Sequence, residues 1–328
     1  MSLLVAHSDA FERPEAYAIE RGVVEAGGGT LALTRGRTAE ELIANLAGAD
    51  AVLVSAAPIS RVVAETLTNC KVVVRYGVGL DTLDIPALTD AGIVVAHLPD
   101  FCQPEVANHA IALLLAVAKK IVPLDRAVRS GAWRTGPLGP MQHLTGQTLG
   151  LIAYGAIARA TARRAAAFDL EVIAWDPYAS DFTGAQRVDT LDELLARSDF
   201  VSVHTPLTPE THHLVNADVL AKMKPTAYLV NTSRGPVVDE AALVDALRAG
   251  TIAGAGLDVF EVEPLPAGSP LAELDNVVLL PHSASYSDRA FADLRRRVAE
   301  AAVEVCVHGR WPQFVPNRTT VEPKVPLS

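Results

Sequence analysis

The sequence predicts an α/β fold with mostly parallel sheets, divided between two domains. The chain has 328 residues, and single hydrophobic cores seldom keep growing beyond roughly 250–300 residues. Half of the residues are hydrophobic and the mean hydropathy is +0.24, which supplies enough apolar surface for a large core. Short β-rich runs alternate with longer helical patterns along almost the whole chain. Strand–helix alternation of this kind is typical of parallel sheets with right-handed crossovers.

The candidate strands are continuous runs of Val, Ile and Leu rather than alternating patterns, which is typical of strands covered on both faces. They are 51–54, 71–74, 93–95, 148–152, 171–174, 200–203, 227–230, 255–259 and 277–280. The helical patterns between them are 38–47, 60–67, 84–91, 104–120, 156–168, 190–197, 216–222, 239–249 and 286–308. The stretch 126–147 contains several Gly and Pro residues, and we interpret it as a connection.

Composition excludes several classes of function. The net charge of −10 and the absence of a basic run argue against a nucleic-acid partner, because phosphate contacts supply much of that affinity. The longest apolar run, 110–118, is far shorter than the roughly 20 residues of a membrane-spanning helix. The first residues lack the pattern of a signal peptide. The three cysteines, Cys70, Cys102 and Cys306, are widely spaced, which favours a reducing compartment. We therefore expect a cytoplasmic protein without a membrane or nucleic-acid partner.

Three histidines close in the sequence, His204, His212 and His213, suggest a metal site. Two of them are adjacent, none has the i,i+4 spacing of helical metal ligands, and no cysteine is close in sequence. We therefore expect no metal.

The segment 148–178 has the layout of a dinucleotide-binding βαβ unit: a strand, a turn at Gly155, a helix, and a second strand that ends at Asp176. Glycine lets the backbone approach a pyrophosphate, and the helix N-terminus offers it free N–H groups. Asp176 follows Gly155 by 176 − 155 = 21 residues, against about 20 in dinucleotide sites. Only the central glycine of G-x-G-x-x-G is kept, since Ala153 and Ala158 occupy the outer positions. A single glycine would equally fit an ordinary strand–helix turn, but Asp176 and the regular βα units that follow favour a dinucleotide site.

Asp176 also bears on the choice of cofactor. Its carboxylate would repel a 2′-phosphate, and the next residues, Pro177 and Tyr178, supply no arginine to bind one. The sequence therefore favours NAD(H) over the phosphorylated cofactor.

Three later motifs each stand at the carboxyl end of a predicted strand: VNTSRG with Arg234, LDVFEVEP with Glu263, and PHSA with His282. Ligands of open α/β sheets bind at that edge, so we expect the three side chains to converge. Each residue alone would fit an ordinary surface or loop position, and the functional prediction depends on finding all three in this order.

With these motifs the chain resembles the NAD-dependent D-isomer-specific 2-hydroxyacid dehydrogenases, the family of D-3-phosphoglycerate and D-lactate dehydrogenases. The resemblance extends over most of the chain and includes RYGVGLDTLD (75–84), PEVANHAIALLLA, TLGLIAYG, VHTPLTPETHHLVN (203–216), NTSRGPVVDEAAL, LDVFEVEP and LLPHSA. Within the family, 75–84 and 98–115 look closest to bacterial members similar to the C-terminal-binding protein.

The resemblance implies two Rossmann-like, doubly wound parallel-sheet domains. A flavodoxin-like substrate domain would take both ends of the chain, 1–100 and 288–328, and an NAD-binding domain would take 101–287. The family is usually dimeric, so a homodimer is expected. In this chain, only the apolar character of 106–118 points to such an interface.

The resemblance also implies hydride transfer between NAD(H) and C2 of a small 2-oxo or 2-hydroxy acid. Arg234 would bind the substrate carboxylate and carbonyl with its planar fork. His282 would be the general acid and base, and Glu263 would hydrogen-bond the other ring nitrogen. The backbone N–H groups of Val78 and Gly79 would bind the substrate carboxylate.

Arg75 is a further candidate for contact with the substrate, and Arg134 is another, although either would also fit a surface charge. The cofactor-binding residues implied by position are Gly155, Ala156, Ile157, Asp176, Pro177, His204, Thr205, Pro206, Thr232, Ser233, Asp258 and His282. An alternative is an NAD(H)-sensing, corepressor-like binding protein that keeps these residues without significant turnover.

Overall fold

A computed structural model describes residues 3–133 and 141–328. The chain forms two compact units, one that runs to Cys102 and resumes at Ser287, and a second that spans Gln103–Tyr286. The domain boundaries predicted at 100/101 and 287/288 lie within two residues of these limits. Arg134 lies outside the described residues.

The strands are β1 Leu3–His7, β2 Gly29–Leu33, β3 Ala51–Val54, β4 Val72–Arg75, β5 Val94–Ala96, β6 Thr148–Ile152, β7 Glu171–Trp175, β8 Gln186–Arg187, β9 Phe200–Val203, β10 Tyr228–Asn231, β11 Gly254–Leu257 and β12 Val277–Leu279. The helices are α1 Ala18–Ala26, α2 Ala39–Leu46, α3 Arg61–Thr66, α4 Ile85–Asp90, α5 Gln103–Ala118, α6 Ile121–Arg129, α7 Ala156–Ala166, α8 Leu191–Arg197, α9 Ala217–Leu220, α10 Glu240–Ala249 and α11 Asp288–Cys306.

The first unit contains a five-stranded parallel sheet in the order β2-β1-β3-β4-β5. This is the flavodoxin-like order 2-1-3-4-5. Strand β3, which contains Val52, is buried throughout, and the three valines of β4, Val73 among them, are buried too, as the continuous hydrophobic pattern predicts.

The second unit contains a seven-stranded parallel sheet in the order β12-β11-β10-β9-β6-β7-β8. Counted from β6, the strands follow the order 3-2-1-4-5-6 of dinucleotide-binding domains, with one strand added at the end. The order reverses between β6 and β9, and ligands bind at the carboxyl ends of the strands beside such a reversal. The predicted fold class, two doubly wound parallel-sheet domains, is confirmed.

The structure contains strands and helices that the sequence pattern does not predict. Strands β1, β2 and β8 and helices α1 and α6 were not predicted, and α6 extends to Arg129, so the interpretation of 126–147 as a connection is wrong over 126–129. Helix α6 contains Pro123, which its first turn tolerates because N–H groups there have no intrahelical acceptor. Strand β2 begins at Gly29, where an added Cβ would lie 2.9 Å from the Leu3 carbonyl oxygen, so a glycine marks close strand pairing here.

Helix α5 is apolar on most sides because it packs within the second unit, against α7, β10 and β11. Among the described residues, we find no helix with the length and apolarity needed to span a membrane.

Candidate active site

The residues singled out by the sequence follow the carboxyl ends of adjacent parallel strands in the second unit. His204 follows β9, Arg234 lies three residues after β10, Asp258 directly follows β11, and His282 lies three residues after β12. Parallel strands end at a common sheet edge, so one edge carries all four side chains.

His282 and Glu263 form a close pair. The Nδ1 atom of His282 lies 2.6 Å from Oε2 of Glu263, and Oε1 of Glu263 accepts a hydrogen bond from the backbone N–H of Phe260 at 3.0 Å. Burial opposes ionisation of the carboxyl, but these hydrogen bonds and the charges of His282 and Arg234 outweigh it and lower the pKa of Glu263. An ionised Glu263 keeps the proton on Nδ1 and leaves Nε2 as the ring nitrogen that can exchange a proton.

Arg234 is held in place by the turn that precedes it. The buried side chain of Asn231 accepts hydrogen bonds from the backbone N–H and hydroxyl of Ser233, and its amide donates to the Arg234 carbonyl. Gly235 lies so close to the segment after β11 that an added Cβ would be 1.9 Å from the backbone of Phe260. The side chain of Arg234 is half-buried, and its charge contributes to the lowered pKa of Glu263.

Asp258 organises the backbone around His282. Its carboxylate accepts hydrogen bonds from the backbone N–H groups of Ser283 at 2.9 Å and Ala284 at 2.8 Å, and its carbonyl accepts from His282 N–H at 2.7 Å. These bonds hold His282 in a left-handed conformation, with φ 53°. The ring Nε2 of His109, on α5, lies 3.2 Å from Asp258 Oδ1. Burial opposes ionisation of Asp258, but the His109 ring and the two N–H groups outweigh it and lower its pKa.

The turn between β6 and α7 has the space that a pyrophosphate needs. A Cβ added at Gly155 would meet no described heavy atom within 4 Å, and no side chain in the described residues caps the first turn of α7 at Ala156 and Ile157. The backbone N–H groups of that turn can therefore bind an anion. Ala153, at the position of the first fingerprint glycine, has φ 70°, and the fully buried Ala158 packs against the sheet at the third.

Asp176, which directly follows β7, is hydrogen-bonded to three backbone N–H groups. Oδ2 accepts from Tyr154 at 2.8 Å, and Oδ1 accepts from Tyr178 at 2.7 Å and Ala179 at 3.0 Å. Burial opposes ionisation, but these bonds outweigh it and lower the pKa of the carboxyl. Two carboxylate oxygens offer about four acceptor positions, so Oδ2 keeps one that a ribose hydroxyl can use.

Further predicted cofactor residues follow β9 and β10 at the same edge. The Thr232 hydroxyl is buried and has no hydrogen-bond partner among residues 3–133 and 141–328. His204 Nε2 lies 3.0 Å from the Ser202 hydroxyl, and burial lowers the pKa of His204 to about 4, so its ring is neutral near pH 7. An unpaired buried hydroxyl and the open glycine turn both fit a bound dinucleotide. Pro177, Thr205, Pro206 and Ser233 stand next to these groups in the sequence, and their part in cofactor binding stays a prediction.

The histidine cluster differs from the one considered in the sequence. His213 stacks on His212, and its ring nitrogens lie 2.7 Å from a Glu261 oxygen and 3.9 Å from an Asp239 oxygen. One potential ligand atom from each of His213, Asp239 and Glu261 lies within 4.8 Å of the other two. The imidazole Nε2 lies within hydrogen-bond distance of Glu261, and both side chains are partly exposed. The absence of a metal stays a prediction.

In the first unit, the predicted substrate-binding residues follow β4. Arg75 ends the strand and its guanidinium donates to the carbonyl of Tyr76, while Val78 and Gly79 lie in the loop beyond. Their role in substrate binding stays a prediction.

Sequence reasoning missed three residues that shape the site of the second unit: Asn231, Gly235 and His109. Asn231 had a local signal, because N-x-S is typical of an Asx turn. Gly235 and His109 had none, since their partners lie on other elements.

The chain is similar to proteins of known families. The family model described as D-isomer specific 2-hydroxyacid dehydrogenase, NAD binding domain, matches residues 111–284. A glyoxylate reductase of Thermofilum pendens is 42% identical over 300 residues, which cover 86% of this chain and 86% of that protein. A D-3-phosphoglycerate dehydrogenase of Mycobacterium leprae is 41% identical over 86% of this chain, which spans 53% of that longer protein.

Solved structures extend the similarity. An NADPH-dependent glyoxylate/hydroxypyruvate reductase of Sinorhizobium meliloti, in complex with NADP and malonate, has a TM-score of 0.85 and 31% identity, with 98% of each chain covered. A D-lactate dehydrogenase of Aquifex aeolicus, complexed with NAD and lactic acid, has a TM-score of 0.82 and 28% identity, with 92% of this chain and 95% of that chain covered.

Proposed function

The chain belongs to the D-isomer specific 2-hydroxyacid dehydrogenase family, and on that premise we propose that Arg234, Glu263 and His282 carry out its reaction. It is an oxidoreductase that transfers a hydride between NAD(H) and C2 of a 2-hydroxy or 2-oxo acid. The hydrogen bond of 2.6 Å between His282 and Glu263 is the main support for assigning the acid–base role to His282.

Arg234 binds the substrate in this proposal. Its guanidinium presents a planar set of donors, which suits the adjacent carboxylate and carbonyl oxygens of a 2-oxo acid better than a single ammonium group would. Asn231 and Gly235 fix the backbone on both sides of Arg234, so the segment that carries the guanidinium is ordered before substrate binds. In the first unit, the N–H groups of Val78 and Gly79 bind the substrate carboxylate, with Arg75 close by in the sequence.

His282 moves the proton. Its Nε2 donates a proton to the carbonyl oxygen during reduction and accepts the hydroxyl proton during oxidation. Glu263 keeps the other ring nitrogen protonated and stabilises the positive ring that forms when His282 acts as a base. NAD(H), when bound, supplies or accepts the hydride at C4 of the nicotinamide.

The cofactor is held at the carboxyl edge of the second sheet. When NAD(H) is bound, the first turn of α7 with Gly155 would hold its pyrophosphate, Asp176 would accept a hydrogen bond from its ribose, and Thr232 and Asp258 would line the rest of the cofactor. Because Asp176 is ionised and fixed, a 2′-phosphate there would meet a negative charge, so we propose a preference for NADH over NADPH.

A small acid such as glyoxylate is the proposed substrate. Two relatives that are 42% and 43% identical to this chain are named glyoxylate reductases. Their names support a substrate that carries a short substituent on C2 or none. No relative or structure named above is a corepressor, so NAD(H) sensing without turnover is not proposed.

We also propose a cytoplasmic homodimer. The apolar face of 106–118 is used inside the second unit, so it no longer supports an interface. Exposed apolar side chains of α6 and the segment after it support one instead: Ile121 is 52%, Val128 53% and Trp133 88% exposed. Val128→Glu should therefore dissociate the dimer in sedimentation equilibrium, whereas an unchanged mass would remove α6 from the interface.

The proposed reaction is tested by following NADH oxidation at 340 nm with glyoxylate, hydroxypyruvate, pyruvate and 2-oxoglutarate. Turnover with the smallest acids and a high NADH-to-NADPH ratio of kcat/KM are expected. Binding of NADH without turnover on any acid would contradict the assignment of the reacting residues.

A further inference from the structure

We propose that His97 is a positioning residue that aims the backbone N–H of Gly79 at the substrate carboxylate. The inference rests on the proposed function, which places that carboxylate at the Val78–Gly79 backbone. The observation behind it is a hydrogen bond of 3.0 Å between Nδ1 of His97 and the carbonyl oxygen of Val78.

Peptide geometry links the Val78 carbonyl to the Gly79 N–H. In a planar trans peptide, the carbonyl of one residue and the N–H of the next point in opposite directions. A donor that fixes the Val78 carbonyl therefore also fixes the direction of the Gly79 N–H. Because a carbonyl oxygen only accepts, His97 must carry its proton on Nδ1, which also determines the tautomer of a neutral ring.

His97 is itself held firmly. It follows β5, its backbone N–H donates to the Phe314 carbonyl at 3.3 Å, and its ring contacts the Phe314 ring edge-on, with centroids 6.4 Å apart. The next residue, Leu98, donates its backbone N–H to the carbonyl of Gly77 at 3.3 Å. Two successive residues after β5 thus hold two successive carbonyls of the 77–79 loop.

The 77–79 loop depends on contacts with other segments because two of its three residues are glycines. Gly77 has φ 132°, a conformation that only glycine adopts readily, and neither it nor Gly79 has a side chain to pack. An unsupported loop would lose conformational entropy when a carboxylate orders it, and that loss would weaken binding.

The charge of the His97 ring contributes less to carboxylate binding than the placement of its N–H donor. Burial lowers the pKa of His97, the bond to Val78 and the charge of Asp100 oppose that change, and the positive charge of Arg75 adds to it. The ring is therefore neutral near pH 7, and its contribution to carboxylate binding is the placement of a donor rather than a positive charge.

Two substitutions distinguish the effect of the His97 hydrogen-bond donor from the effect of the size of its ring. His97→Leu removes the donor, whereas His97→Asn places an amide N–H close to the position of Nδ1. We expect His97→Leu to raise the KM for glyoxylate about tenfold with kcat changed less than twofold, and His97→Asn to recover most of that loss. The Kd for NADH should not change, because the proposed cofactor site lies in the other unit.

A direct binding measurement makes the test independent of turnover. Oxamate, an unreactive planar analogue of a 2-oxo acid, is titrated into NADH-saturated protein by calorimetry, after thermal melts show that both variants are folded. Weaker oxamate binding by His97→Leu than by His97→Asn supports the proposal. Equal oxamate affinity in wild type and His97→Leu would overturn it, as would equal losses in both variants. Failure of the proposed function would show differently, as wild-type protein that binds NADH and oxamate but reduces no acid.

Discussion

Gly235 is the position where one added methyl group should do most damage to catalysis. A Cβ there would lie 1.9 Å from the carbonyl carbon and oxygen of Phe260 and 2.5 Å from the Glu261 nitrogen. Ordinary contact begins near 3.4 Å, so the two backbone segments must separate by 3.4 − 1.9 = 1.5 Å. Backbone atoms cannot rotate away as a side chain can. Gly235→Ala should therefore lower the free energy of unfolding by about 1–3 kcal/mol.

The same separation moves two proposed reacting groups. Arg234 directly precedes Gly235, and Glu263 is hydrogen-bonded to the Phe260 N–H. A displacement of 1 Å at a reacting centre costs about 100-fold in rate, so kcat/KM for glyoxylate should fall by at least that factor.

Gly155→Ala is the matched control, because the same methyl group meets open space there. Gly155 has φ −78°, which alanine adopts readily, and no described heavy atom would lie within 4 Å of its Cβ. The melting temperature should stay unchanged, but the methyl group would occupy the approach of the pyrophosphate and raise the Kd for NADH about tenfold or more. Thermal melts measure the change in stability, and NADH fluorescence titrations measure the Kd for NADH. Kinetics with glyoxylate measure kcat/KM. A stable, fully active Gly235→Ala protein, or a Gly155→Ala protein with unchanged NADH affinity, would refute the reasoning for that position.

Three further substitutions test the rest of the site. Ala153→Gly should raise the free energy of unfolding by about 0.5–1 kcal/mol in urea denaturation, because φ 70° strains alanine, whereas Ala156→Gly in α7 should not raise it. Asp176→Asn removes the charge that would repel a 2′-phosphate, so the NADH-to-NADPH ratio of kcat/KM should fall, and an unchanged ratio would contradict the proposed role. Asp258→Asn should destabilise the protein most at neutral pH. Folding lowers the pKa of the Asp258 carboxyl, so its ionised form stabilises the folded protein at pH values above the unfolded pKa of about 3.9. This stabilisation is lost as the pH falls through the lower pKa of the folded state. The difference in unfolding free energy from wild type should therefore shrink below about pH 4, and a constant difference would show that the charge of Asp258 is not involved.

The core of the fold could be predicted because its strands are buried on both faces. The runs 51–54, 148–152 and 200–203 match β3, β6 and β9 residue for residue, since continuous hydrophobic runs have few other structures open to them. The edge elements were harder. Strand β8 has only two residues and both are exposed, so no hydrophobic pattern marks it.

The proposed reacting groups could be found from the sequence because each stands in a local motif at a strand end. The residues that position them could not be found in this way. His109 lies next to Asp258 only because α5 packs against β11, and His97 reaches Val78 only because β5 pairs with β4. Contacts of this kind depend on tertiary structure and leave no local pattern.

Direct transfer of a hydride under control of His282 is the central claim, and isotope transfer tests it most directly. Hydroxypyruvate is incubated with NADH that carries deuterium at C4 of the nicotinamide, with wild-type protein and with His282→Gln. We expect D-glycerate with deuterium at C2 from the wild type, and no labelled product from a His282→Gln protein that still binds NADH. Labelled L-glycerate, or labelled product formed by His282→Gln at the wild-type rate, would contradict it.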